Sequence, residues 1–84
     1  MRNLKSVVQR MIDEIPEEVP IGQDLKLSQD LKNLQKNIAY SAPEIMNHWW
    51  IELAIIISRL PQEYSNLLPW QKKVVNIFSG KTEL

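Results

Sequence analysis

The 84-residue chain contains no cysteine, so neither a disulfide framework nor a thiolate metal site is open to it. It has two glycines, too few for a glycine-rich phosphate loop. It has no excess of either charge: ten basic side chains face ten acidic ones. The balance also holds within each half of the chain. Nucleic-acid binding draws most of its affinity from neutralised phosphates, so nothing in the order of residues implies a basic face.

Long apolar runs are missing too. The longest stretch, Trp49 to Ile57, is interrupted by Glu52 and falls far short of the ~20 residues that span a bilayer. Near the amino terminus Gln9, Arg10, Asp13 and Glu14 break up the apolar residues, so no secretory core is present. These absences predict a soluble, unexported chain. A reducing cytoplasm is its expected home, and Met1 suits a natural start. At this length one domain, residues 1–84, is all that the chain can build. Such a domain buries only about 60% of its unfolded surface, so a dense core or one shared with another subunit is needed.

What is present is helical periodicity. Leu4, Val7, Val8, Met11, Ile12 and Ile15 recur at the three-and-four spacing of one helix face, predicting a helix near 3–15. Pro16, Pro20 and Gly22 then forbid continuation and predict a loop. Leu27, Leu31, Leu34 and Ile38 make a narrow stripe near 25–40, the pattern of a solvated edge helix. Ser41-Ala42-Pro43-Glu44 reads as a capping box with proline in the first turn. From it a helix of about 19 residues is expected, near 42–60, ending at Pro61. Its main stripe is Ile45, Met46, Trp49, Trp50, Leu53, Ile56, Ile57 and Leu60. A short turn after Pro61 leads to a fourth helix near 69–79, with Pro69 at its start and Gly80 as its left-handed terminator. No segment alternates with period two for long enough to form a sheet. The expected fold is all-α, a small four-helix bundle with a long, central third helix.

Chemistry has few footholds. The single histidine, His48, stands four residues before Glu52, so the two could meet on one helix face. Two ligands do not make a zinc site, which takes four in a structural centre or three plus water in a catalytic one. The serines lack a histidine at a suggestive spacing, and no nucleophile-elbow or zinc-protease motif occurs. Asp13, Glu14, Glu17 and Glu18 run off a helix end into a proline loop, as a solvated acidic patch does. No catalytic residue, metal ligand or cofactor is therefore predicted, and the chain is read as a non-enzyme.

The surface that stands out belongs to the third helix. Ile51 and Ile55 lie more than 90° from its main stripe, beside Ala54, with His48, Glu52 and Arg59 as a polar strip between the two sectors. A helix apolar on two sides is either wrapped by its neighbours, here the loop at 16–22 and the fourth helix, or presents one flank to another chain. The adjacent Trp49 and Trp50 point about 100° apart and cannot easily share one pocket. Trp70 adds a third tryptophan, a residue type that dominates binding hot spots. The reading is a protein–protein interaction module, whether adaptor, inhibitor or homo-oligomer such as a homodimer, with Trp49, Trp50, Ile51, Ile55 and Trp70 as interface. The alternative is a small nucleic-acid-binding regulator that uses Lys72 and Lys73, with Gln71 and Asn76, on the outer face of the fourth helix.

Overall fold

The computed structural model describes residues 3–19 and 25–80, so the second half of the loop expected at 16–22 lies outside the described residues. It is an all-α bundle of four helices: α1 (Leu4–Asp13), α2 (Leu25–Ala39), α3 (Met46–Ser58) and α4 (Pro69–Ser79). Single 3₁₀ turns, Pro43–Ile45 and Tyr64–Asn66, precede α3 and α4. Among the described residues there is no strand, and no helix is long and apolar enough to cross a membrane.

Each boundary has a local cause. The Asn3 side-chain oxygen accepts from the Ser6 N–H at 3.3 Å and caps α1, satisfying one of the donors that a helix start leaves open. Helix α1 ends two residues before Ile15, because a residue preceding proline is pushed out of the α region. Its last turn tightens into three-residue bonds, Glu14 N–H to Met11 and Ile15 N–H to Ile12. Pro61 acts on α3 in the same way, with Arg59 and Leu60 bonded back to Ile56 and Ile57. Helix α4 starts at Pro69, where the Leu68 N–H donates to the Gln71 side-chain oxygen at 2.9 Å. It stops at Gly80, whose φ of 78° is the left-handed value that favours glycine.

The expected capping box does not form. The Ser41 hydroxyl donates backwards to the Asn37 carbonyl at 2.7 Å and accepts from the Trp49 indole N–H at 2.8 Å. It therefore closes the end of α2 and leaves the start of α3 without a side-chain cap. Pro43 opens a 3₁₀ turn there, and regular α-helix begins only at Met46. The uninterrupted 19-residue helix is thus replaced by a 3₁₀ turn plus 13 helical residues.

Packing also rearranges the expected roles of the helices. Helix α1 pairs with both α2 and α4, and α2 pairs in turn with α3, so the central pair is α1 and α2. Helix α3 stands on a flank and not at the centre. The molecule measures 36 × 27 × 20 Å, and its least dimension is about two helix diameters. Every helix therefore keeps a face toward solvent. The narrow stripe of α2 is not that of an edge helix: Leu27, Leu31, Leu34 and Ile38 are all buried, as are Leu4, Val7, Val8 and Met11 of α1. Gln9 and Gln35 bridge the two helices at the surface. Leu60 and Leu67 anchor the connection between α3 and α4 in the same core.

The position of α2 has a measurable consequence. Leu31→Ala should lower unfolding free energy by about 2–5 kcal/mol in a urea titration, the range for a buried leucine. A solvated edge helix would lose less than about 1 kcal/mol.

Candidate interaction surface

At about 100° per residue, Ile51 and Ile55 stand two positions to either side of Leu53 and so about 160° around the helix from it. Leu53 is fully buried and faces the core. Ile51 and Ile55 consequently point outward, 60% and 42% exposed. Around them lie exposed Asn47, His48, Ala54 and Ser58. No formally charged residue interrupts this face between Asn47 and Ser58, since Glu52 turns toward the junction with α2. The exposure left on the two isoleucines amounts to about one whole side chain, whose burial is worth about 2 kcal/mol.

The charges sit at the ends. Glu44, in the 3₁₀ turn, is exposed. Arg59 follows Ile55 by four residues. Its Nη1 lies 3.4 Å from Asp30 Oδ2, a surface pair between α3 and α2 worth no more than about 1 kcal/mol. His48, Ile51 and Ile55 thus share the outer face of α3, while Arg59, seven residues after Glu52, turns with it toward the junction with α2.

The other predicted interface residues are placed differently. Trp49 is half-buried toward α2, its N–H held by Ser41, and the His48 ring stands edge-on to it with centroids 4.8 Å apart. Trp50, also half-buried, borders a groove with Asn3, Leu4, Lys5 and Met46. The two rings do diverge, but each leans into the body of the bundle. Trp70 is a correction: at 7% exposure it belongs to the core, on the inner face of α4 with Val74 and Ile77. Its buried N–H has no partner. Trp70, Val74 and Ile77 recur at the three-and-four spacing of one helix face, so the sequence does carry the signal for its burial. Ile45, assigned by periodicity to the buried stripe, is 45% exposed. Its 3₁₀ turn breaks the 3.6-residue repeat on which the assignment rested.

The fourth helix offers less to a nucleic acid than its sequence suggests. Gln71, expected on the outer face, is buried because its side chain caps the helix start. Lys73 Nζ is 3.5 Å from Glu14 Oε2, and Lys72 Nζ lies 5.5 Å from the centre of the Tyr64 ring. Asn76 donates to the Tyr64 hydroxyl at 2.9 Å. Each polar group on that face is engaged within the fold. His48 and Glu52 are not joined by a hydrogen bond, and the described residues contain no group of three or more metal-ligating side chains.

The chain matches no family model, no curated protein and no solved structure.

Outward orientation of the two isoleucines sets a stability test. The double substitution Ile51→Lys, Ile55→Lys should change unfolding free energy by less than about 0.5 kcal/mol, as surface changes do. Leu53→Lys, with a charge in the core, should unfold the chain. Circular dichroism during thermal unfolding separates the two.

Proposed function

We propose that this protein is a non-enzymatic helical interaction module whose contact surface is the outer face of α3. The observation that carries the proposal is the uncharged face centred on Ile51 and Ile55, on the helix that stands at the flank of the bundle. A surface helix normally turns a charged or polar face to water; this one turns isoleucine outward, 60% and 42% exposed at Ile51 and Ile55. Such a face gains free energy when a second apolar surface covers it. The remaining helices need no such explanation, since α2 presents Lys26, Lys32 and Lys36 to solvent.

The interface of this reading is Ile51 and Ile55 with their small neighbours Ala54 and Ser58. Trp49 and Trp50 support the helix from beneath. The lysines of α4 lend little to a nucleic-acid reading, because Lys72 and Lys73 already have partners inside the fold. A cytoplasmic location belongs to the same proposal and rests on the cysteine-free chain.

Site-specific photo-crosslinking in the native cells tests the reading. A photoreactive residue at position 51 should give discrete protein adducts, while the same group at exposed Lys32 on α2 should give none. Absence of adducts from position 51 would remove the proposal. Loss of the adducts on Ile55→Lys, with the fold retained, would tie them to this face.

A further inference from the structure

We propose that the groove where the start of α1 meets the end of α2 is a second contact surface of this protein, and that it takes an acidic linear peptide segment of another protein. The proposal goes beyond the outer face of α3 and uses neither Ile51 nor Ile55.

Charge carries the proposal. Antiparallel packing of α1 on α2 brings Lys5, Lys36, Ala39 and Tyr40 to one cavity of about 420 Å³. The turn into α3 passes the same end of the bundle and makes a second cavity of about 510 Å³, and Lys5 lines both, so the two form one groove. No carboxylate lines either cavity. Glu44 is exposed next to Pro43 but lies outside the wall, and Asp13 lines a different cavity with Arg10 and Lys73. Among the described residues neither Lys5 nor Lys36 has an ion-pair partner. Tyr40, one turn after Lys36, is 93% exposed, and among the described residues neither its hydroxyl nor the side-chain amide of Asn47 is hydrogen-bonded. The face of α4 is the reverse, with its polar groups engaged inside the fold. Two lysines without counter-charges on an acid-free wall give the groove a positive potential, which draws in carboxylates.

The uncharged parts of the wall favour a peptide as the bearer of those carboxylates. Leu4, Pro43, Met46 and Trp50 make one end of the groove apolar, which suits an apolar side chain next to the acidic ones. The Asn47 amide both donates and accepts, as pairing with a peptide group requires, whereas a phosphodiester backbone only accepts. A nucleic acid also carries a charge on every nucleotide and needs a row of cations, while this groove holds two lysines in a chain of balanced charge. Trp50 lines one cavity only, Lys5 lines both and Lys36 lines the other. The matching peptide therefore has an apolar residue at one end of its contact and two acidic residues following it.

Selection of random dodecapeptides displayed on phage, against the immobilised full chain, tests the proposal. Enriched sequences should be acidic and carry an apolar residue beside paired Asp or Glu. The most enriched peptide, synthesised with a fluorescein label, should bind in fluorescence anisotropy and lose affinity as salt is raised to about 0.5 M. In nitrogen-15 correlation spectra it should shift the amide signals of residues 5, 36, 40 and 47 and the Trp50 indole signal. Lys5→Glu should weaken it roughly tenfold with the fold intact, since an acid in the first turn of a helix suits the helix dipole. Lys36→Gln and Tyr40→Ala, at exposed positions, should each weaken it severalfold, and the same spectra establish that every variant is folded. Ile51→Lys should leave the affinity unchanged, so that failure here and failure of the α3 reading are seen separately. No enrichment, or enrichment of neutral or basic sequences, overturns the proposal. So does a selected peptide indifferent to Lys5→Glu, which binds elsewhere. A labelled single-stranded dodecanucleotide that shifts the same signals and binds more tightly than the peptide also overturns it, and assigns the groove to nucleic acid.

Discussion

The fold depends on one contact, the burial of α1 between α2 and α4. Val8 and Met11 are completely enclosed there, and α1 is the helix that packs against both α2 and α4. Helix α1 has ten residues, below the ~12–15 at which isolated helices become even marginally stable, so tertiary packing must hold it in place. Its amphipathic stripe supplies that packing on two sides at once. The result is a two-layer body about 20 Å thick, which has room for a core but not for a wholly enclosed helix. From this limited thickness follows the outward face of α3.

Proline sets the lengths within that body. Pro16 and Pro61 shorten the ends of α1 and α3 by the same mechanism, and Pro43 and Pro69 open the segments that lead into α3 and α4. With the helices held short, the apolar positions that reach the core are limited, and each helix contributes a few deeply buried residues. Helix α3 contributes least of these although it is the most apolar: Leu53 alone among its residues is fully buried.

Most of the fold was legible because it rests on local signals. The spacing of Leu4, Val7, Val8 and Met11, the prolines and Gly80 act within a turn or two of their own positions, and the structure follows them. What was not legible depended on competition or on assembly. Ser41 has the pattern of a forward cap, yet the Asn37 carbonyl and the Trp49 indole both reach its hydroxyl, and a one-dimensional motif does not register such competitors. Gln71 looked like a surface residue because glutamine is polar, while its role is to satisfy a helix-end donor beneath the surface. The narrow stripe of α2 matched an edge helix, but the width of a stripe reports how much of one helix is buried and not how many neighbours bury it. For the candidate surface, azimuth alone separated Ile51 and Ile55 from the core. Trp70 has the residue type of a hot spot, but its spacing from Val74 and Ile77 puts it on the buried face of α4.

The separation of core from outer face bears on why Ile51 and Ile55 are where they are. A bundle this small is limited by how much apolar surface it can bury, and residues placed outside contribute little to holding it together. Folding alone would be served as well by lysine or glutamate at both positions, which favour helix and solubility. β-Branched isoleucine is the poorer choice on each count: it lowers helix propensity slightly and leaves an apolar side chain in water. Two such residues one turn apart, flanked by alanine and serine, cost the isolated molecule something and return little to its core. Coverage of this face by another surface would supply the gain that the single chain lacks.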